Sequence, residues 1–258
     1  MNAHFRTHLD EGVLTITFTR PDKLNAISEE MTGGLWQAVD RLAVDEEVLS
    51  LVIAAEGRFF TAGIDLDAPM PADAPDHREF RRRYARHHAL YDAMESVEKP
   101  VIVAMQGPCL GAGLEMAGSA DFRFATPATY FRLPEVALGT IAGSGGTSRL
   151  TRLVGPHWAK WIAMADQKVP AERALMIGLV HEVWPVDELA ERVQHFAVGL
   201  GRLPSQALGA AKLAVDATTD VDRRTARDIE RAINTSLVYG GEFAAARRAR
   251  TAGEPGEP

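Results

Sequence analysis

Cysteine is nearly absent from this chain: Cys109 is the single one in 258 residues. One thiol excludes an intramolecular disulfide framework and cannot supply the paired CxxC spacing of a structural zinc site. A reducing compartment, the cytoplasm, is the expected home. Long apolar runs are missing as well. No stretch reaches the roughly 18 apolar residues of a membrane span, and the polar opening from Met1 to Glu11 has no apolar core of signal-peptide length. Neither secretion nor membrane insertion is expected. An excess of positive charge is also lacking, since 28 Lys and Arg stand against 35 Asp and Glu for a formal net charge of −7. A general nucleic-acid binder needs Lys and Arg in excess along one face to neutralise phosphates, so that class is argued against. What is present is 46% hydrophobic and 24% charged residues, enough to bury a sizeable core in one large domain with a small appendage.

Val13 to Thr19 alternates apolar and polar residues with β-branched enrichment, which predicts a half-buried strand stopped by Arg20-Pro21. A helix follows. Ser28 is a suitable N-cap, Glu29 and Glu30 suit the positive end of the helix dipole, and Met31, Leu35, Val39 and Leu42 recur at helical spacing. Leu49 to Ala55 and Val101 to Met105 are short apolar runs of the kind covered on both faces. Strands alternating with helices predict an α/β fold with parallel strands, the first crossover running from about Ala26 to Val48. Phe122 to Ala125 and Val180 to Trp184 are further strand candidates. The proline-rich APMPADAPD at residues 68–76 is a loop. From about Val186 the pattern is wholly helical: Leu189, Val193, Phe196 and Ala197 share a face, then come Ala207 to Val215, then Ile229, Ile233 and Leu237. The expected organisation is a core over residues 1–194, a helical region over 195–250, and a tail, TAGEPGEP, at 251–258 too poor in apolar residues to order itself.

The stretch from Lys99 to Asp121 carries the chemistry. A strand runs into Gly107, then Gly111, Ala112 and Gly113 open a short helix with Glu115 in its first turn. Small residues let a ligand approach the backbone, and N–H groups at a helix start have no intrahelical partner. This is a cradle for an oxyanion or a phosphate. A dinucleotide fingerprint is a poor match, because Leu114, Glu115 and Met116 follow where a further glycine belongs and Glu135 follows a proline instead of ending a strand. A second glycine-rich run, GTIAGSGGTSRL from Gly139 to Leu150, invites a serine nucleophile elbow at Ser144. Ala142 occupies one of the elbow's glycine positions and no strand precedes it, so Ser144 is expected to be a helix N-cap.

Phe60-Thr61-Ala62-Gly63-Ile64-Asp65-Leu66, Gly107-Pro108-Cys109-Leu110-Gly111-Ala112-Gly113-Leu114-Glu115 and Pro134-Glu135-Val136-Ala137-Leu138-Gly139 occur in that order. Together they resemble the FxAGxDL, GxAxGGGxE and PEVxLG segments of the enoyl-CoA hydratase/isomerase (crotonase) family. RPDKLNAI at residues 20–27 is similar to the family's first turn against coenzyme A, and with GLVHEVWP at residues 178–185 the likeness covers about residues 13 to 215. The resemblance implies a spiral of ββα units with C-terminal helices that assemble a homotrimer or hexamer, acting on an acyl-CoA thioester with no cofactor apart from the substrate's own coenzyme A. It implies that the backbone N–H groups of Ile64 and Ala112 hold the thioester oxygen, that Glu135 moves the proton at the substrate α-carbon, and that Glu115 serves water at the β-carbon. Lys23, Asn25, Ala26, Ala62, Gly63, Asp65, Leu66 and Gly111 match substrate-binding positions. Two carboxylates close together repel, so one is expected to keep a proton while the other stays ionised. Ala112 stands where the family has glycine, Arg132 and Ala142 where many members have glycine and proline, and the C-terminal GGEFAAARRARTAG departs from the usual pattern.

Hydration of a 2-enoyl-CoA is the first reading, since both glutamates are present. Double-bond isomerisation needs only one base, and C–C hydrolysis of a β-dicarbonyl compound needs the same oxyanion hole. A non-catalytic coenzyme A scaffold would need neither glutamate. The remaining charged groups have plainer explanations. Arg78, Arg81, Arg82, Arg83 and Arg86 make a solvated helix face or, alternatively, a patch for coenzyme A phosphates. His87 and His88 are surface residues, and no metal site is expected. Asp65 orders its own turn in preference to forming a metal pair with Asp67. Cys109 is a small buried hydrophobe.

Overall fold

The computed structural model describes residues 4–66 and 77–251. The chain divides into two compact units at Val198/Gly199, against an expected boundary at 194/195.

The first unit is built on a six-stranded sheet in the order β1-β2-β3-β4-β6-β9. Its strands are β1 (Phe5–Asp10), β2 (Val13–Phe18), β3 (Ser50–Ala55), β4 (Val101–Met105), β6 (Phe122–Ala125) and β9 (Glu182–Val183). A small sheet runs β5-β7-β8, made by Cys109–Leu110, Tyr130–Arg132 and Val169–Pro170. The α-helices among its described residues are α1 (Glu29–Val44), α2 (His77–Ser96), α3 (Ala112–Gly118), α4 (Gly146–Ala163) and α5 (Ala171–Met176). Another, α6 (Leu189–Gly201), runs across the division. The repeat is ββα. The chain sends β4 into the large sheet, β5 into the small one and then forms α3; β6, β7 and α4 repeat the move. Thr61, bridged to Cys109, is the matching extended segment after β3. The spiral expected from the resemblance is therefore the architecture of this unit.

Its strands form where the apolar pattern requires them. β4 is buried at every position between β3 and β6, so its residues read as a continuous apolar run. Each fully buried Val or Ile there stabilises the fold by about 1.5–3 kcal/mol. β2 and β3 are parallel from Val13↔Ser50 to Phe18↔Ala55, and such a pair needs a crossover, which α1 supplies. Ser28 caps α1 as expected, its Oγ accepting from Met31 N at 3.2 Å, and Met31, Leu35, Ala38, Val39 and Leu42 are buried. β1 has no counterpart in the sequence reading. Only Phe5 of its six residues is buried, as suits a charged edge strand, and the two-residue turn to β2 uses Glu11 and Gly12, both at positive φ.

The second unit holds α7 (Ser205–Thr219), α8 (Arg223–Val238) and α9 (Gly241–Thr251), with no strand among its described residues. Asp222 caps α8 by accepting from Arg224 N at 2.9 Å. Ile229, Ile233 and Leu237 are half-buried along α8, at the predicted spacing. Thr251 ends α9 and is thus helical, unlike the tail predicted from 251; the rest of that tail lies outside the described residues, as do Asp67 and the proline-rich 68–76.

The two adjacent glycines of α1 differ in surroundings. A Cβ on Gly34 would meet the Phe5 ring at 2.3 Å, whereas one on Gly33 meets nothing within 4 Å. Gly33→Ala is expected to stabilise by about 0.5–1 kcal/mol through helix propensity, and Gly34→Ala to destabilise by roughly 1–3 kcal/mol through overpacking. Paired urea melts check both signs.

Candidate active site

Glu115 and Glu135 come together at the start of α3. Gly111 precedes it at φ 50°, ψ −126°, a backbone conformation for a residue without Cβ. Glu135 sits in the short 3-10 helix Pro134–Leu138, and a Cβ on Gly111 would lie 2.8 Å from its Oε1. The Gly111 N–H donates to Arg132 O at 3.0 Å, so the small sheet fixes this approach. On the facing segment, Ile27 N donates to Gly63 O at 2.8 Å and Asp65 N to Ile27 O at 3.1 Å. In a parallel bridge of this kind the Ile64 N–H points away from Ile27. A Cβ on Gly63 would lie 3.5 Å from Ala112 N, so the Ile64 and Ala112 amides belong to touching segments.

Both carboxyls hold protons more tightly than exposed glutamates. Glu115 is 5% exposed, and burial pushes it up to about 7. Two backbone donors oppose that rise: Ser144 N at 2.7 Å and Gly146 N at 3.1 Å, both on Oε1. The charge of Glu135 adds a smaller upward push. Glu135 is raised too, by burial first and by the Asp166 charge after it. Repulsion between the pair was the expected cause; desolvation is the larger one, because the apolar surroundings penalise either charge by itself. Glu135 Oε2 is buried with no hydrogen-bond partner, leaving an acceptor or proton carrier open to a ligand.

The other candidates divide between scaffold and surface. Asn25 is fully buried at φ 52°, its Nδ2 donating to Glu56 O and Phe59 O at 2.7 and 2.8 Å and its Oδ1 accepting from Arg20 N. Its amide is spent holding the 20–27 turn to the 56–61 segment. Asp65 accepts from the Arg20 guanidinium at 2.9 Å. Lys23 is exposed, Ala26 and Ala62 are half-buried, and Ile64 and Leu66 hold apolar side chains in the open. Arg78, Arg81, Arg82 and Arg86 are exposed on α2, and the Arg83 side chain lies outside the described residues.

Ser144 and His88 differ from expectation. Ser144 is not the N-cap of α4: Gly145, at φ 103°, takes that place, and the Ser144 N–H is used on Glu115. His88 is not a plain surface residue either, because its Nε2 is buried without a partner and its ring lies 4.6 Å from that of Tyr84. Cys109 is buried, as expected, and burial pushes its thiol up. Sequence reasoning missed Tyr84, whose hydroxyl is raised by burial and then by both glutamates, and Arg149, which pairs with Glu95 and Asp92 at 2.6 Å each. The signal for Tyr84 was the spacing of Tyr84, His88 and Tyr91, one face of an otherwise charged helix.

A sequence model of the family described as Enoyl-CoA hydratase/isomerase matches residues 8–245. The chain belongs to the enoyl-CoA hydratase/isomerase family. It is 36% identical over 220 residues to a crotonyl-CoA hydratase of Syntrophomonas wolfei, covering 83% of this chain and 82% of that one. A 1,2-epoxyphenylacetyl-CoA isomerase of Escherichia coli K12 is 30% identical over 240 residues, covering 90% and 91%. The crystal structure of an enoyl-CoA hydratase subunit I from Geobacillus kaustophilus superimposes with a TM-score of 0.90 at 30% identity, covering 99% of this chain and 97% of that one. The family thus includes hydratases and isomerases on one fold.

Burial of Glu115 has a consequence for stability in this family member. Its folded value of about 7 exceeds the ordinary 4.5, so the folded state binds the proton more tightly than the unfolded state. The stability is therefore full below pH 4.5 and falls as pH rises toward and past 7, by on the order of 3 kcal/mol. Glu115→Gln is expected to raise the melting temperature at pH 8 and to leave it nearly unchanged at pH 4.5, in thermal melts at both values.

Proposed function

We propose that this protein adds water across the double bond of a 2-enoyl-CoA thioester, with Glu115 and Glu135 as its acid–base pair. The observation that carries the reading is the meeting of two proton-retaining carboxyl groups, Glu115 buried and Glu135 half-buried, at a helix start whose leading amide has no intrahelical acceptor. In the forward direction the oxygen of water bonds the β-carbon and a proton bonds the α-carbon, so the π-electrons pass through an enolate. The Ile64 and Ala112 N–H groups take the enolate oxygen, a preorganised pair in which each donor lowers the barrier by about 3–4 kcal/mol. Glu115 takes the proton from water, and a value near 7 suits a group that must both accept and return it. Glu135 hands its proton to the α-carbon. The exposed Ile64, Leu66, Val136, Leu138 and Ile141 supply apolar surface on the segments flanking the carboxyls, suited to an acyl chain.

Double-bond isomerisation is the second reading, favoured by the match of residues 8–245 to a family described as hydratase/isomerase of enoyl-CoA. Moving a double bond can shuttle one proton on one carboxylate, so the two reactions respond differently to loss of each glutamate. Glu135→Gln is expected to stop either reaction. Glu115→Gln is expected to slow hydration of crotonyl-CoA by ~10²–10⁴-fold while sparing exchange of the substrate α-proton with deuterated solvent. Near-full hydration by Glu115→Gln removes Glu115 from the acid–base pair, whereas wild-type protein that exchanges the α-proton without hydrating crotonyl-CoA sinks the hydratase reading in favour of the isomerase.

The exposed Val215, Tyr239 and Phe243 in the helical second unit suit assembly of a homotrimer or hexamer, since amphipathic helices without further strands to cover need another surface. Sedimentation at micromolar concentration is expected to give a trimer or larger. A monomer removes this part of the reading.

A further inference from the structure

Tyr84, His88 and Tyr91 occupy one face of α2, at i, i+4 and i+7. Tyr91 is fully buried and its hydroxyl donates to Ala112 O at 3.1 Å, tying α2 to the start of α3. Tyr84 reaches a different place. Its hydroxyl lies beside the Ser144 side chain and so close to Gly143 that a Cβ there would fall 2.1 Å from the hydroxyl oxygen. The same Cβ would be 3.3 Å from the Tyr84 Cζ, an acceptable if tight contact. His88 packs its ring on that of Tyr84 at 4.6 Å. Arg149 ties the same turn to the same helix, donating to Ser144 O at 3.1 Å while paired with Glu95 of α2 at 2.6 and 2.7 Å. The turn from Gly143 to Gly146 is thereby held from α2 on both sides of Ser144. Its Ser144 and Gly146 N–H groups in turn hold Glu115 Oε1.

We infer that Tyr84 is a positioning residue for Glu115: its hydroxyl fixes the 143–146 turn so that the Ser144 and Gly146 N–H groups stay on the Glu115 carboxyl. The inference rests on the acid–base reading of Glu115. Gly143 is glycine because the Tyr84 hydroxyl occupies the place a side chain would take. If the turn relaxes, the two N–H groups draw back from Oε1, the carboxylate loses compensation for its burial, and it holds its proton to higher pH. The other groups facing Glu115 are Glu135 from the 3-10 helix, Arg149 from α4 and Tyr91 from α2. Tyr84→Phe leaves all of them in place and keeps the ring against His88.

The test uses Tyr84→Phe, Gly143→Ala and the double variant, with crotonyl-CoA as the probe substrate. Steady-state kinetics across pH are paired with infrared titration of the Glu115 carboxyl band, identified by its loss in Glu115→Gln. Tyr84→Phe is expected to lower kcat about tenfold with KM within about twofold, and to move the Glu115 midpoint up by roughly half a pH unit. Gly143→Ala is expected to do the same in the wild-type background, where it collides with the hydroxyl, and to add little in the Tyr84→Phe background, where room exists. An unmoved Glu115 midpoint in Tyr84→Phe, or losses that simply multiply in the double variant, overturns the positioning role. Should Glu115→Gln keep full activity, the acid–base reading fails on its own, while the infrared midpoint still decides whether Tyr84 acts on Glu115.

Discussion

Glu115 is a carboxyl group lodged in an apolar interior, and what compensates its charge among the described residues, beyond the charge of Arg149, is a pair of backbone N–H groups from the turn ahead of α4. An isolated carboxylate in such surroundings would simply stay protonated. Two amide donors on one oxygen bring the proton affinity back to the neutral range, where a group can exchange protons with water. Much of the first unit can be understood from this balance. The turn at 143–146 must hold its amides still, and α2 does that through Tyr84 and through Arg149, whose guanidinium bridges Asp92, Glu95 and the Ser144 carbonyl. The salt bridges on Arg149 therefore matter less for their own energy, which is small where solvent reaches them, than for what they orient.

The ββα spiral explains why groups so far apart in sequence meet. Each turn of the spiral adds a strand beside the last one in the large sheet and an extended segment beside the last one in the small sheet. Thr61, Cys109 and Phe131 fall side by side in this way, so the loops that follow them, carrying Ile64, Ala112 and Glu135, are neighbours too. The geometry of the site is thus a by-product of register in the small sheet. Fixing Gly111 N to Arg132 O sets the height of Glu135 over the α3 start as directly as any side-chain contact.

Local patterns made much of this legible beforehand. The central strands announce themselves as short apolar runs, because burial on both faces leaves no room for polar alternation, and α1 is given by its cap and its apolar stripe. The glycines near Glu115 betray a close backbone approach. β1 was not legible, since an edge strand with one buried residue carries almost no apolar signal. The role of Asn25 was not legible either: its side chain bonds backbone groups at 56 and 59, and nothing in its own neighbourhood indicates those partners. Ser144 was misread for a related reason. A serine ahead of a helix is a good cap in isolation, but here the helix begins after a glycine in the left-handed region, and the serine amide is claimed by a glutamate 29 positions earlier.

That last case separates two kinds of functional information in a sequence. Side-chain chemistry, such as a pair of glutamates near glycines, can be recognised by residue type. Backbone donors cannot, because every residue but proline has one, and only the fold decides which amides are left without a strand or helix partner. In this protein the proposed oxyanion donors and the two amides that hold Glu115 Oε1 are of the second kind. Substitution at Ile64 or Ala112 acts chiefly through backbone placement, so a side chain there can vary while the chemistry persists; Gly146 cannot, since a Cβ there would lie 2.5 Å from Ala142 Cβ. Ala112 in the place of a family glycine is consistent with that freedom, whereas Gly143, pressed against the Tyr84 hydroxyl, has no such freedom as long as Tyr84 stays where it is.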